Sequence, residues 1–103
     1  RLRDGGITIV DVRGPDEFTG PLGHIDTALN IPLGELPNRL TEISAFQALP
    51  VIVVCKTDKR SASAASALSE AGFGDVSVVR GGMEQWNRDG RPIENSQATE
   101  LAR

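Results

Sequence analysis

The pattern of apolar runs predicts an open α/β fold, with a mostly parallel, twisted sheet of about four to five strands and helices on both faces. Three β-branched runs, Ile7 to Val12, Val51 to Val54 and Val76 to Val79, lack clean polar alternation, as strands buried on both faces of a parallel sheet do. Helical stripes lie between and after them, and strand alternating with helix is the signature of βαβ units. A chain of 103 residues can close one core without disulfides or a structural metal and has no room for a second domain. Residues 1–103 are therefore expected to form a single domain.

At the start, Arg1-Leu2-Arg3-Asp4 followed by Gly5-Gly6 reads as the last turn of a helix and its stop, which predicts a chain cut from something longer. Ile7 to Val12 forms the first strand. Residues 13–33, RGPDEFTGPLGHIDTALNIPL, are turn-rich, with Ala28 to Ile31 as a short additional strand. Leu36, Leu40 and Ile43 recur at helical spacing after Gly34-Glu35, with Pro37 tolerated in the first turn and Pro50 ending the connection. After Val51 to Val54, the stripe Ala62, Ala65 and Leu68 predicts a helix from Ser61, its N-cap, to about Ala71, closed by Gly72. Met83 and Trp86 mark a short last helix before Gly90 and Pro92, and both are expected in the core. Phe18, Phe46 and Phe73 need nothing beyond packing, with Phe18 bordering the mouth of the site. The tail from Glu94 to Arg103 is polar and small-residued, a frayed helix or linker.

Charge and composition exclude several classes of function. Eleven basic against 14 acidic residues give a net charge of −3 and a pI near 5.0, which argues against a nucleic-acid surface or an anionic-membrane patch. Any positive site must be local. The longest apolar runs are far too short for a membrane span, and RLRDGG lacks the apolar core of a signal peptide, although a targeting signal upstream of Arg1 would have been lost with it. The single cysteine, Cys55, cannot form an intramolecular disulfide, and with the single histidine, His24, it cannot build a four-ligand zinc site. No cofactor is expected, and the compartment expected by default is reducing, hence cytoplasmic.

The residues that carry chemistry gather around VIVVCKTDKRSASAA, residues 51–65. In open parallel sheets, ligands bind beyond the carboxyl ends of strands, where the following helix offers unpaired N–H groups and the positive end of its dipole. Cys55 stands at such an end. Lys56, Lys59 and Arg60 crowd the N-terminal side of the next helix, where cations are disfavoured unless an anion sits among them. That anion is the Cys55 thiolate or its substrate. A thiol of pKa 8.5 is only about 3% thiolate at pH 7, and a thiol shifted by two units, at a cost of about 2.7 kcal/mol, is roughly 75% thiolate. Two or three charge-assisted contacts from loop N–H groups, the Thr57 hydroxyl or a nearby cation could supply this, with the Asp58 carboxylate turned outward or capping the turn. A lone cysteine at a strand end is more often an inert, buried small hydrophobe. The apolar strand, short basic turn and small-residue helix together favour a nucleophile instead. Val54 precedes Cys55 and no histidine adjoins it, so activation would come from stabilising the thiolate, with His24 able to approach only in space.

These residues resemble the active-site loop of the rhodanese (thiosulfate sulfurtransferase) family, and the likeness extends over nearly the whole chain. Asp11-Val12-Arg13, Glu17-Phe18, Gly23-His24-Ile25 and Ala28-Leu29-Asn30-Ile31-Pro32-Leu33 resemble that family's DVR, EF, GHI and A-x-N-I-P signatures. Val79-Arg80-Gly81-Gly82-Met83 with Trp86 resembles its GGM-x-x-W segment. The chain departs from the family at its start, where a leading strand and a complete first helix are usual. The resemblance implies a double displacement: the Cys55 thiolate attacks the outer sulfur of thiosulfate or a similar donor, expels sulfite and becomes a persulfide, and cyanide or a thiol then takes the sulfur. It implies too that Arg60, with Lys56 and Lys59, holds the donor's sulfonate or screens its approach, alongside Thr57, Asp58 and Ser61 of the loop. Such a basic loop favours thiosulfate over 3-mercaptopyruvate, whose family loop typically reads CGSGVT.

Asp11 and Arg13 are expected behind the loop, Arg13 pairing with Glu17 across a turn, and the resemblance implies that they hold the loop region in place. His24 is expected to bond to backbone in an irregular loop in preference to moving protons. Three other functions compete with a thiosulfate sulfurtransferase: a sulfur-relay module whose donor and acceptor are proteins, a redox-sensing or regulatory domain, and a cysteine phosphatase of related fold. Phosphatase loops place five residues between cysteine and arginine, whereas Lys56 to Lys59 are four, a ring better suited to one sulfur atom than to a phosphoryl group.

Overall fold

The computed structural model describes residues 7–44, 47, 49–57 and 59–93. The helix end expected at residues 1–6, Phe46, Asp58 and the tail from residue 94 lie outside the described residues. The described elements are β1 (Thr8–Asp11), α1 (Pro15–Phe18), β2 (Leu29–Asn30), α2 (Leu36–Arg39), β3 (Val51–Val54), α3 (Lys59–Glu70), β4 (Val76–Val78) and α4 (Gly82–Arg88). All strands are parallel, in the order β2-β1-β3-β4. The fold is therefore α/β, with a four-stranded parallel sheet among the described residues.

The two central strands explain the apolar runs. Alternate residues of β1 and β3 face opposite sides: Val10, Val51 and Val53 pack with Leu36, Ala64 and Leu68, while Ile9 and Val54 pack with Ile25 and Met83. Both faces are covered, α2 and α3 on one and α4 on the other, so neither strand alternates with polar residues. The third run behaves differently. At the sheet edge β4 has only β3 beside it, Val76 is half-buried, Ser77 is exposed and Val78 is 38% exposed, so burial on both faces fails there.

Two helices differ from expectation. Leu36 and Ile43 are buried as predicted, but a continuous helix through them is replaced by 3-10 turns at Leu33–Glu35 and Leu40–Glu42 flanking α2. Asn38 and Thr41 favour helix interiors poorly, which leaves little but packing to hold the segment. In α3 the buried stripe is Ser61, Ala64 and Leu68, and Ala62 is exposed. The helix starts at Lys59, so Ser61 is its third residue and not its N-cap. A helix reading KRSASAASALSE carries small residues on every face, and its phase is settled by the sheet it packs on. Gly72 closes the end as expected, with φ +104° and the Phe73 N–H donating to the Leu68 carbonyl at 3.0 Å.

The strand order also locates the site. From β1 the chain goes to β2 on one side, then crosses to β3 and β4 on the other, so the carboxyl ends of β1 and β3 flank the point where the winding reverses. Asp11 pairs with Val54 across that point, and the Val12 N–H reaches the Val54 carbonyl at 2.9 Å. The segment after β1 and Cys55 after β3 thus leave the sheet side by side.

Candidate active site

Cys55 is the first residue beyond β3 and is 1% exposed. Its loop is tied down from α4: the Met83 N–H donates to the Cys55 carbonyl at 2.7 Å and the Glu84 N–H to the Lys56 carbonyl at 3.0 Å. These first-turn N–H groups would otherwise lack partners, and here they orient the nucleophile's own backbone. Gly82 makes the approach possible. It holds φ +61°, and a Cβ there would overlap the backbone of Cys55, Lys56 and Thr57. The Gly81-Gly82-Met83 segment is thus a buttress of the cysteine loop.

Behind the loop, Asp11 and Arg13 form a buried ion pair, 0% and 1% exposed. Arg13 Nε donates to Asp11 Oδ1 at 2.9 Å and its Nη2 to Oδ2 at 2.7 Å, while Nη2 also reaches the Gly23 carbonyl at 2.6 Å. The Arg13 backbone N–H donates to Asp11 Oδ1 at 3.1 Å, and the Asn30 amide donates to the carbonyls of both residues. The expected pair between Arg13 and Glu17 is therefore corrected. Residues i and i+2 of an extended segment face the same side, so Asp11 is the acid that meets a guanidinium taken out of water.

Glu17 instead reaches Arg60, 43 residues away: Nη1 donates to Oε1 at 2.7 Å and Nη2 to Oε2 at 2.9 Å. The Gly14 N–H donates to the same Oε1 at 3.0 Å. The Arg60 hydrogen bonds, against partial burial and with help from Gly14, bring the Glu17 pKa down from 4.5 to about 2. The Arg60 pKa is raised, chiefly by its hydrogen bonds to Glu17, with smaller Coulombic contributions from Cys55 and Asp11. The sequence motifs placed Glu17 near the site but not on Arg60. The signal was the local excess of cations, which calls for nearby carboxylates.

A cleft of about 360 Å³ is lined by Arg13, Glu17, Pro21, Leu22, Lys56 and Glu84. Lys56, the residue after Cys55, faces Glu84, with Nζ 3.9 Å from Oε2 and both side chains well exposed. The structure thus brings Cys55, Lys56 and Arg60 together with Asp11 and Arg13, but each of these cations meets a carboxylate. Thr57 is half-buried and Lys59 exposed, while Asp58 lies outside the described residues. Ser61 is fully buried, and its Oγ has no hydrogen-bond partner among the described residues.

His24 stacks on Phe18, ring centroids 3.7 Å apart, and its Nδ1 lies 2.7 Å from the Phe18 carbonyl. A carbonyl only accepts, so Nδ1 carries the proton. No hydrogen bond joins His24 to Cys55 among the described residues. Trp86, expected in the core, is half-buried, with Nε1 donating to the Pro92 carbonyl at 2.9 Å. Among the described residues no group of three or more His, Cys, Asp or Glu side chains is placed to hold a metal ion, and no helix is long and apolar enough to cross a membrane.

The family model for the Rhodanese-like domain matches residues 1–89. YqhL of Bacillus subtilis is 40% identical over 78 residues, a match spanning 76% of this chain and 59% of that protein. A thiosulfate sulfurtransferase, GlpE of Ectopseudomonas mendocina, is 36% identical over 99 residues, covering 96% of this chain and 86% of its own. Among solved structures, a rhodanese-related protein from Thermoplasma volcanium superposes with a TM-score of 0.79 at 30% identity, covering 92% of both chains.

Proposed function

The chain belongs to the rhodanese-like domain family, whose members named as sulfurtransferases it resembles at moderate identity, and we propose that it moves sulfane sulfur from thiosulfate or a related donor through a persulfide on Cys55. The observation that carries this is the placement of Cys55. It ends central strand β3 at the reversal of the winding, its loop is held by α4, and Arg60 follows on the first turn of α3.

In the first half-reaction the Cys55 thiolate attacks the outer sulfur of thiosulfate. A bond forms between Sγ and that sulfur, the donor's S–S bond breaks, and its electron pair leaves on sulfite. In the second, cyanide or a thiolate attacks the terminal sulfur, and the electron pair returns to Sγ. Oxidation states balance without a cofactor. Loop groups from Lys56 to Ser61 surround the transferred sulfur, Asp58 among them, and oriented N–H groups there would stabilise both thiolate and persulfide. The buried, unpartnered Ser61 hydroxyl is a donor in reserve for such an anion. Asp11, Arg13 and His24 act on the framework behind the loop and not on the sulfur. A protein persulfide could serve as donor, or a protein thiol as acceptor, in the same exchange, and the acceptor chemistry suits a reducing, cytoplasmic setting.

Intact-protein mass spectrometry tests the proposal. Incubation with thiosulfate should add the mass of one sulfur, cyanide should remove it, and Cys55→Ser should show no addition. An unmodified wild-type protein, with thiosulfate and with a protein persulfide alike, would refute it.

A further inference from the structure

The charges around the cleft cancel in pairs. Arg13 meets Asp11, Lys56 meets Glu84 and Arg60 meets Glu17, three cations against three carboxylates. A basic loop in the sequence is therefore not a basic site in the fold. The pairs differ in how firmly they hold. Lys56 and Glu84 are 3.9 Å apart and exposed, so a ligand can part them readily, whereas Glu17 takes both outer nitrogens of Arg60 at hydrogen-bond distance and is itself anchored by the Gly14 N–H.

We propose that Glu17 is a specificity-determining residue, occupying the Arg60 guanidinium so that the site disfavours dianionic sulfur donors and takes organic hydropersulfides of low net charge. This rests on the Cys55 sulfurtransferase proposal and names the donor class for that same site. A dianion such as thiosulfate can use Arg60 only by expelling Glu17 or by standing beside its carboxylate, and like charges held close oppose binding. A hydropersulfide needs no guanidinium, because its reacting sulfur has no sulfonate attached. The cleft suits an organic group: its 360 Å³ falls in the range for small organic ligands, about 300–1,000 Å³, and Pro21 and Leu22 give it apolar wall.

The step balances. The Cys55 thiolate attacks the terminal sulfur of R–S–SH, a bond forms between Sγ and that sulfur, and the R–S bond to it breaks with its electron pair on the leaving thiolate. The proton stays on the transferred sulfur, giving Cys55–S–SH and R–S⁻. No external oxidant or reductant takes part.

The test compares two donors, thiosulfate and 2-hydroxyethyl hydropersulfide generated in solution, with cyanide as acceptor. Glu17→Gln keeps the shape and removes the charge. It should raise kcat/KM for thiosulfate about tenfold, chiefly through KM, and change kcat/KM for the hydropersulfide by no more than about twofold. Added salt should shrink the difference between wild type and variant for thiosulfate, because a partly exposed charge is screened. Equal changes for both donors, or a fall for thiosulfate alone, would overturn the role. Should Glu17→Gln fail to fold by thermal melting, Glu17→Asp carries the test: its shorter reach cannot span both guanidinium nitrogens, so the donor ratio must move toward thiosulfate, and an unmoved ratio overturns the proposal. A wild-type protein that gains no sulfur from either donor defeats the underlying sulfurtransferase reaction, whereas sulfur gain with an unmoved ratio defeats only the role of Glu17.

Discussion

Replacing Gly82 by alanine should damage both stability and sulfur chemistry through one small group. Gly82 sits at φ +61°, which costs an L-residue about 1–2 kcal/mol. The new methyl would also overlap the backbone of Cys55, Lys56 and Thr57, with the Lys56 carbonyl carbon at 2.6 Å, and backbone pinned between β3 and α3 has little room to yield. Overpacking of this kind costs a further ~1–3 kcal/mol. If α4 backs away, the bonds from the Met83 and Glu84 N–H groups to the loop carbonyls weaken, at about 1 kcal/mol each. The sum is roughly 3–6 kcal/mol. Gly90 supplies the control, since it has φ +71° but no neighbouring atom within 4 Å of the point a methyl would occupy, so Gly90→Ala should bear the conformational cost alone.

Chemical denaturation of the two variants isolates the overlap, which should make Gly82→Ala at least about 2 kcal/mol less stable than Gly90→Ala, or roughly 10 °C in melting temperature for a domain of this size. Sulfur acquisition from thiosulfate, followed by intact mass, should slow about a hundredfold in Gly82→Ala, the usual consequence of moving a nucleophile by about 1 Å. Should the two variants melt together and load sulfur at the wild-type rate, the buttress argument is wrong.

The remaining predictions concern charge and buried polarity. The Glu17 pKa of about 2 lies below its ordinary 4.5, so its stabilisation is complete above about pH 4.5 and is lost as pH falls through about 2. The unscreened shift amounts to about 3 kcal/mol, but with Glu17 and Arg60 36% and 37% exposed it is discounted to ~1 kcal/mol, the extra loss wild type should show against Glu17→Gln in urea unfolding between about pH 6 and pH 2; equal losses would discount the pair. Asp11→Asn leaves Arg13 charged and buried and should cost about 3–5 kcal/mol by urea unfolding, whereas a loss under about 1 kcal/mol would show that water reaches the guanidinium. Ser61→Ala removes a buried hydroxyl without a partner, so stability should hold or rise by about 1 kcal/mol while persulfide formation slows; a clear loss of stability would mean that the hydroxyl is already bonded in the resting protein.

The central sheet was legible because β1 and β3 are buried on both faces, and uninterrupted Ile and Val leave few other readings. The same logic overreached at Val76 to Val79, since a short β-branched run reads alike whether it ends up central or at an edge, and only the strand order distinguishes them. Cys55 was legible from its place between an apolar strand and a helix. Its surroundings were not, for two physical reasons. Ion-pair partners are chosen in space: Glu17 and Arg60 are far apart in sequence, and nothing local to Arg13 says that Asp11 and not Glu17 will be its acid. Helix phase was lost because α3 is almost all serine and alanine, so the burial of Ser61 and the exposure of Ala62 depend on the surface beneath and not on the pattern above.

The three ion pairs also form a gradient from framework to substrate. Asp11 and Arg13 are essentially dry and carry additional backbone bonds, so parting them would strand a charge in the interior, and no small donor can repay that. Lys56 and Glu84 face solvent at 3.9 Å, a contact worth at most about 1 kcal/mol, which a donor anion can replace at little cost. Glu17 and Arg60 stand between these limits, well bonded but only partly buried. Lys56 is thus the cation an incoming anion meets first, and Arg60 becomes available only as Glu17 is displaced. Because Lys56 adjoins Cys55 while Arg60 begins the helix behind it, the order of accessibility follows the path from the cleft to the sulfur, and selectivity among donors turns on the second pair.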